Sequence, residues 1–136
     1  MVVNGKTFIV DSSFVLASLL PDEEKILPKA AFDQFVLGKI SLVSTVLLPF
    51  EVINGVKMSV VRKRINENEA TELTDRFLKL KLELLNVDFK EALILSIKEE
   101  LTIYDASYLW LAREKDYPLL SLDKHLQKFT AKQNFN

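Results

Sequence analysis

Residues 8–13 read Phe8-Ile9-Val10-Asp11-Ser12-Ser13, and this stretch decides the fold. Its β-branched and aromatic run ends at an acidic residue and two serines, and an apolar segment then continues to Leu20, where Pro21 stops it. The first run predicts a buried strand, the polar residues a capped turn, and the apolar segment a helix. A strand that ends in an acidic turn is therefore the pattern to look for in the rest of the chain.

Short apolar runs alternate with helical patterns after this opening. Further strands are predicted at residues 40–43, 84–87 and 119–120. Helices are predicted between them at residues 24–37, 45–64, 65–84, 89–101 and 103–115, with a last helix from Asp123 to about Phe129. Because parallel strands need crossover connections, this alternation predicts a three-layer α/β/α domain. Its central sheet should be short and mainly parallel, with four or five strands.

The composition is typical of one compact domain. The 136 residues fall within the usual size of a domain, and 3 Gly and 4 Pro leave little material for long loops. We expect a single domain over residues 1–136, with residues 131–136 as the one tail that could lack fixed structure. The absence of cysteine excludes disulfides, thiolate catalysis and sulfur-ligated zinc. No apolar run is long enough to span a membrane, so a cytoplasmic location is expected.

The charged residues give no general attraction for nucleic acid, because the net charge is −1. Any nucleic-acid binding must be local, or must come from a metal and a partner. One basic cluster could steer RNA phosphates, although positive charge at the end of a helix also complements its macrodipole. The cluster consists of Lys57, Arg62, Lys63 and Arg64. His125 could be a general base, but a lone histidine after a strand is more often a surface or capping residue.

Four acidic residues are candidates for a common site. Asp11 follows the first predicted strand and Asp123 the last, and ligands bind beyond the carboxyl ends of parallel strands. Glu51 lies in an apolar helical segment, where an unpaired buried carboxylate costs on the order of several kcal/mol. Asp105 stands at the start of the predicted helix at residues 103–115. All four could therefore meet at one edge of the sheet.

Each carboxylate also has an ordinary structural explanation. Asp11 and Asp123 could cap helices, and Asp105 fits the capping pattern that begins at Thr102. Glu51 could pair with a lysine or arginine, or face solvent. The combination favours a metal site, because Mg²⁺ and Mn²⁺ bind carboxylate oxygens and keep several waters for a substrate phosphate. Without an ion the cluster would repel itself, and one or more of its pKa values should rise.

Four segments, in the right order, resemble the acidic motifs of PIN domains and together span nearly the whole chain. They are Phe8-Ile9-Val10-Asp11-Ser12-Ser13, Phe50-Glu51-Val52-Ile53-Asn54, Tyr104-Asp105-Ala106-Ser107-Tyr108-Leu109 and Pro118-Leu119-Leu120-Ser121-Leu122-Asp123. The Tyr-Asp-Ala-Ser-Tyr stretch is the most telling. Among PIN proteins, the size and the absence of further domains resemble the toxin subunits of VapBC toxin–antitoxin pairs.

This resemblance implies a Mg²⁺- or Mn²⁺-dependent endoribonuclease that is inhibited by a cognate antitoxin and is commonly a homodimer. Asp11 and Asp105 would be the firmest metal ligands, with Glu51 and Asp123 completing the cluster directly or through waters. A metal-activated water would then attack an RNA phosphodiester in line. The expected supporting residues are Ser12, Asn54 and Ser121.

Two positions depart from the family's pattern. Ser121 stands where a threonine is often found, which keeps the hydroxyl. His125 stands where many relatives carry a further acidic residue, and this leaves open whether there is a fifth carboxylate contact or a second metal.

Two other functions remain open at this point. One is a non-catalytic PIN-like interaction module, in which the carboxylates cap helices or pair with bases and the apolar helices form a dimer or antitoxin interface. The other is a structure-directed DNA nuclease with the same metal site.

Of the aromatic residues, Tyr104, Tyr108 and Trp110 could stack bases, with core packing favoured for Trp110. The chain has no Gly-rich phosphate loop, no Gly-x-Ser-x-Gly elbow and no His-Glu-x-x-His run, which disfavours nucleotide hydrolysis, serine esterase chemistry and zinc proteolysis.

Overall fold

The computed structural model describes residues 5–21, 26–130 and 135. Within them, four parallel strands form one sheet in the order β3-β2-β1-β4. The strands are β1 (Thr7–Val10), β2 (Ser41–Thr45), β3 (Glu83–Leu85) and β4 (Leu119–Leu120). The sheet is thus wholly parallel, with β1 between β2 and β4.

Six α-helices connect the strands in the described part of the chain. They are α1 (Ser12–Leu19), α2 (Ile26–Val36), α3 (Leu48–Val61), α4 (Glu67–Lys79), α5 (Phe89–Glu99) and α6 (Ile103–Lys115). The first four lie in crossovers that move from β1 through β2 to β3, whereas α5 and α6 lie in the return to β4. Because such crossovers are right-handed, these two groups cover opposite faces of the sheet. This is the predicted three-layer α/β/α arrangement.

The strands form where the sequence is continuously apolar. Ile9 and Val10 of β1 are completely buried, as expected for a central strand that is covered on both faces. Four helices begin at a side chain that accepts a hydrogen bond from a backbone N–H of the first turn. These caps are Asp11, Asn66, Asp88 and Thr102.

Several predicted helix bounds are wrong. Thr45 is the last residue of β2 and not the start of a helix, and α3 begins only at Leu48. The helix predicted from Asp123 onwards is replaced by turns and a short 3₁₀ segment at Gln127–Phe129. The physical reason is local, because Asp123 Oδ1 accepts a hydrogen bond from the His125 N–H and makes a tight turn there.

The tail that was predicted to lack fixed structure, residues 131–136, lies outside the described residues except for Phe135. The Phe135 ring packs edge-on against Phe8, with 5.2 Å between the ring centroids. Among the helices of the described ranges, none combines the length and the apolar character that crossing a bilayer requires.

Candidate active site

The candidate site lies at the carboxyl edge of the sheet, where the direction of the crossovers reverses. The chain leaves β1 toward β2 and returns on the other side of β1 as β4. Such a switch point opens a crevice between neighbouring strand ends. Asp11 follows β1 and Asp123 comes three residues after β4, so the fold places these two carboxylates at this edge of the sheet.

Asp11 is the most deeply buried of the four acidic candidates, with 2% of its surface exposed. Its Oδ1 accepts hydrogen bonds from the Ser13 hydroxyl at 2.7 Å and from the Phe14 N–H at 3.0 Å, and its Oδ2 accepts one from the Ser121 hydroxyl at 2.5 Å. Burial outweighs these hydrogen bonds and, with the negative charge of Asp123, raises the pKa of Asp11 to about 6. Asp11 therefore caps α1 and is also a destabilised carboxylate.

Two serines connect the ends of β1 and β4. The Ser121 hydroxyl accepts a hydrogen bond from the Asp123 N–H at 3.0 Å, and the Ser13 hydroxyl accepts one from the Leu122 N–H at 2.9 Å. Ser121 is among the supporting residues expected from the sequence, whereas Ser13 was missed. The sequence signal for Ser13 is its position at a predicted helix start, where serine side chains commonly make hydrogen bonds.

Glu51 is held by a side chain from the opposite helical layer. The Tyr108 hydroxyl donates a hydrogen bond to Glu51 Oε1 at 2.5 Å. Burial, this hydrogen bond and the charges of Glu51 and Asp11 raise the pKa of Tyr108 above its ordinary value, so its hydroxyl remains a donor. The described partner of Glu51 is thus a tyrosine and not the lysine or arginine considered above.

Asp105 lies half-buried at the start of α6. Its backbone N–H donates to the Thr102 hydroxyl at 3.1 Å, so Thr102 caps the helix. Burial, followed by the negative charges of Asp123 and Glu51, raises the pKa of Asp105 above its usual value. The positive charge of His125 and the Thr102 hydroxyl act in the opposite direction.

These electrostatic effects connect all four carboxylates. Asp123 acts on both Asp11 and Asp105, and Glu51 acts on Asp105. The charges of Glu51 and Asp11 both raise the pKa of Tyr108. The four acidic candidates are therefore close enough for their charges to interact, and the pKa values of Asp11 and Asp105 are raised as expected.

The chemistry of the donor set fits a hard divalent ion, because its side-chain ligands would all be oxygen atoms. Within the described ranges, no three Asp, Glu or His side chains form a ready-made metal cage. Mg²⁺ commonly takes one or two carboxylates directly and keeps several waters. The arrangement therefore fits an ion held by one or two of these side chains, with the others reaching it through water.

The remaining candidate residues differ in how close they come to this cluster. The Ser12 side chain lies near the Tyr108 hydroxyl and slightly offsets the rise in its pKa, whereas Asn54 is exposed one helical turn after Glu51. The basic residues predicted to steer RNA begin at Lys57 and lie mainly beyond the far end of α3. Arg62 is eleven positions after Glu51, or about 16 Å along the helix axis.

The three aromatic candidates differ in exposure and in contacts. Tyr108 is 1% exposed, so the prediction that it could stack bases is wrong. Trp110 is partly buried against the core, and its indole N–H donates to Glu91 Oε1 at 2.7 Å. Tyr104 remains exposed next to Asp105.

Known proteins share both the sequence pattern and the fold. The family model of the PIN domain matches residues 8–132. Ribonuclease VapC3 from Pyrobaculum aerophilum is 32% identical over 128 residues, which cover 90% of this chain and 95% of that protein. The crystal structure of PAE2754 from Pyrobaculum aerophilum has a TM-score of 0.74 and 22% identity over 92% of this chain and 80% of the other. Mycobacterium tuberculosis VapC20, a sarcin-ricin loop cleaving toxin, has a TM-score of 0.63 and 14% identity over 93% and 98% of the two chains.

Proposed function

The chain belongs to the PIN domain family, and from this membership we propose that it is a Mg²⁺- or Mn²⁺-dependent endoribonuclease, the toxin of a toxin–antitoxin pair. The observation that carries the proposal is the electrostatic cluster of four carboxylates at the switch point of the sheet. RNA as the substrate is supported by the similarity to a ribonuclease over nearly the full length of both chains. A cognate antitoxin and a homodimer complete the proposal.

The acidic cluster supports metal dependence on electrostatic grounds. A buried carboxylate with a pKa of about 6 is ionised at a cost near neutral pH, and a bound cation would offset that cost. The same negative charges would repel the phosphates of RNA, and a net charge of −1 provides no compensating field. A cation therefore serves both the protein and the approach of the substrate.

The four carboxylates have different proposed roles. Asp11 and Asp105 would bind the ion most firmly, and Glu51 and Asp123 would complete the site directly or through waters. A divalent ion supplies, when bound, the Lewis acidity that activates a water and neutralises charge on the phosphate oxygens.

The neighbouring side chains position these carboxylates. The hydroxyls of Ser13 and Ser121 hold one oxygen each of Asp11, which fixes the orientation of its carboxylate. The Tyr108 hydroxyl holds Oε1 of Glu51 in the same way. Because its pKa is raised, Tyr108 acts here as a hydrogen-bond donor and not as a general base.

The test is a cleavage assay on RNA and on DNA of the same sequence, with Mg²⁺ or Mn²⁺ and with EDTA. The parent should cleave RNA, EDTA should abolish cleavage, and Asp11→Asn should lower the rate by roughly 100-fold or more because it removes a charged ligand. Asp33→Asn is the matched control, since Asp33 is exposed on α2 and its ion-pair partner among the described residues is Lys29, also on the surface.

Each outcome decides between the candidate functions. If Asp11→Asn cleaves RNA as fast as the parent, the carboxylates are structural and the chain is an interaction module. Faster cleavage of DNA than of RNA would identify a DNA nuclease with the same site.

A further inference from the structure

The outer side of α5 carries four large apolar side chains, which we call the α5 strip. Its members and their exposed fractions are Phe89 (69%), Leu93 (52%), Ile94 (66%) and Ile97 (71%). The adjoining side of the helix, with Ala92 and Ser96, is buried. At about 100° per residue, the four members lie within an arc of roughly 140° around the helix. The strip is therefore one continuous face and not a set of scattered side chains.

The size of the strip calls for a partner. Soluble monomers rarely expose contiguous apolar patches larger than a few hundred Å², and larger patches mark interaction sites. Complete burial of two copies of the strip would remove on the order of 1,000 Å² from solvent, which is the lower limit for a specific interface. Contact between the strips of two copies of this chain would therefore bury enough area for a specific interface.

Two charged residues lie at the ends of α5, and Lys90 falls within the same arc. Lys90 is in the first turn of the helix and Glu100 is its C-cap residue. Positive charge at the start of a helix and negative charge at its end both oppose the macrodipole. Neither side chain takes part in an ion pair within the described part of the chain. Both are therefore unfavourably placed in an isolated protomer.

We propose that a second copy of this chain covers the α5 strip, with the two α5 helices packed antiparallel about a two-fold axis level with residue 95. Lys90 then lies level with the partner's Glu100, and Leu93 lies level with the partner's Ile97. Each charge meets an opposite charge and the favourable end of the neighbouring helix dipole. Parallel packing would instead place Lys90 beside the partner's Lys90. The inference rests on the proposed homodimer and names its surface.

The first test measures the dimer dissociation constant of the full chain by sedimentation velocity. The parent should be a dimer, and Ile97→Glu should raise the constant by roughly 100-fold or more, because it places a charge in a closed apolar contact. Val36→Glu is the matched control, since Val36 is an equally exposed apolar residue on α2, on the other face of the sheet. A parent that stays monomeric, or an Ile97→Glu variant that dimerises like the parent, would overturn the proposal.

The second test exchanges the two charges, which should restore dimer affinity only if the helices pair antiparallel. Lys90→Glu and Glu100→Lys should each weaken the dimer by up to about tenfold, and the effect should fade at high salt. The double variant should regain the parent's affinity, because it restores two opposite-charge pairs across the interface. A double variant as weak as the single ones would overturn the proposed pairing. Since both exchanges remove charges that oppose the helix dipole, the thermal midpoint of the monomer should not fall.

Dimerisation and RNA cleavage can be measured separately. All four carboxylates belong to one chain, so Ile97→Glu should still cleave RNA as a monomer. A parent that dimerises through α5 but cleaves no RNA would reject the proposed catalysis and retain the interface.

Discussion

The Tyr108 hydroxyl donates a hydrogen bond to Glu51 Oε1 at 2.5 Å, although the two residues are 57 positions apart in the chain. Glu51 lies in the first turn of α3, and Tyr108 lies in α6 on the opposite face of the sheet. The bond therefore joins the two helical layers across the crevice at the carboxyl edge. It fixes Glu51 near Asp105, on which its charge acts.

Tyr108→Phe should weaken the site more than the fold. The variant keeps the buried ring, and the half-exposed Glu51 can be hydrated instead, so the free energy of unfolding should fall by only about 1 kcal/mol. The apparent affinity for Mn²⁺ and the kcat for RNA cleavage should fall by roughly tenfold or more, because the carboxylate loses its orientation. Urea unfolding and a Mn²⁺ titration of cleavage measure the two effects. Tyr117→Phe, a half-buried tyrosine outside the acidic cluster, is the control. Unchanged Mn²⁺ affinity in Tyr108→Phe would contradict a positioning role.

Asp11→Asn should stabilise the metal-free protein at alkaline pH. The pKa of Asp11 rises from 3.8 to about 6 on folding, so the folded state holds the proton more tightly. Protonated Asp11 therefore contributes on the order of 2–3 kcal/mol to the free energy of unfolding. This contribution is complete below about pH 4 and is lost as the pH rises through about 6. In EDTA the variant should therefore unfold at higher urea concentration than the parent near pH 8, with a smaller difference near pH 4. An equal or lower stability of the variant at the higher pH would show that ionised Asp11 costs the fold nothing.

Much of the fold could be predicted because its signals are local. The apolar run at residues 8–10, the acidic turn after it and the caps at Asp11 and Thr102 are all readable within a few positions. The placement of β4 next to β1 is not, since those strands are more than 100 residues apart and only packing brings them together. The strand order, and with it the switch point between β2 and β4, could therefore not be predicted from the sequence.

The acidic candidates could be named from the sequence, whereas their partners could not. Asp11, Asp105 and Asp123 lie near the predicted ends or starts of elements, and Glu51 is a carboxylate in an apolar helical segment, so a local pattern identifies each of them. The contact between Tyr108 and Glu51 crosses the sheet, and no periodicity in the sequence encodes it. The sequence pattern therefore led to the mistaken expectation that Tyr108 could stack bases.

Binding of a divalent ion should compete with protons. Because Asp11 and Asp105 both have raised pKa values, protons and the ion share the same carboxylates. The rise in thermal midpoint caused by a fixed Mn²⁺ concentration should be larger near pH 8 than near pH 5, since the effective affinity falls as the carboxylates become protonated. Asp33→Asn should show the same pH-dependent rise as the parent, whereas Asp11→Asn should show little rise at either pH. An equal rise at both pH values in the parent would argue against these two residues as ligands.

Gly55→Ala should lower the stability of the protein even though alanine favours helices. A Cβ atom at Gly55 would lie 2.4 Å from Leu16 Cδ1 and 3.2 Å from its Cγ, where α3 packs against α1. The helical preference of alanine gains about 1 kcal/mol, but overpacking costs about 1–3 kcal/mol. The expected net loss is about 1 kcal/mol by urea unfolding.

The double variant Gly55→Ala, Leu16→Ala isolates this contact, because the shorter side chain at position 16 leaves space for the new methyl group. Its loss of stability should be smaller than the sum of the two single losses. Since Asp11 caps α1 and Glu51 lies in the first turn of α3, separating these helices would also displace the two carboxylates relative to each other. RNA cleavage by Gly55→Ala should therefore fall and should recover in the double variant. Strictly additive stabilities would mean that the two helices accommodate the methyl group without moving.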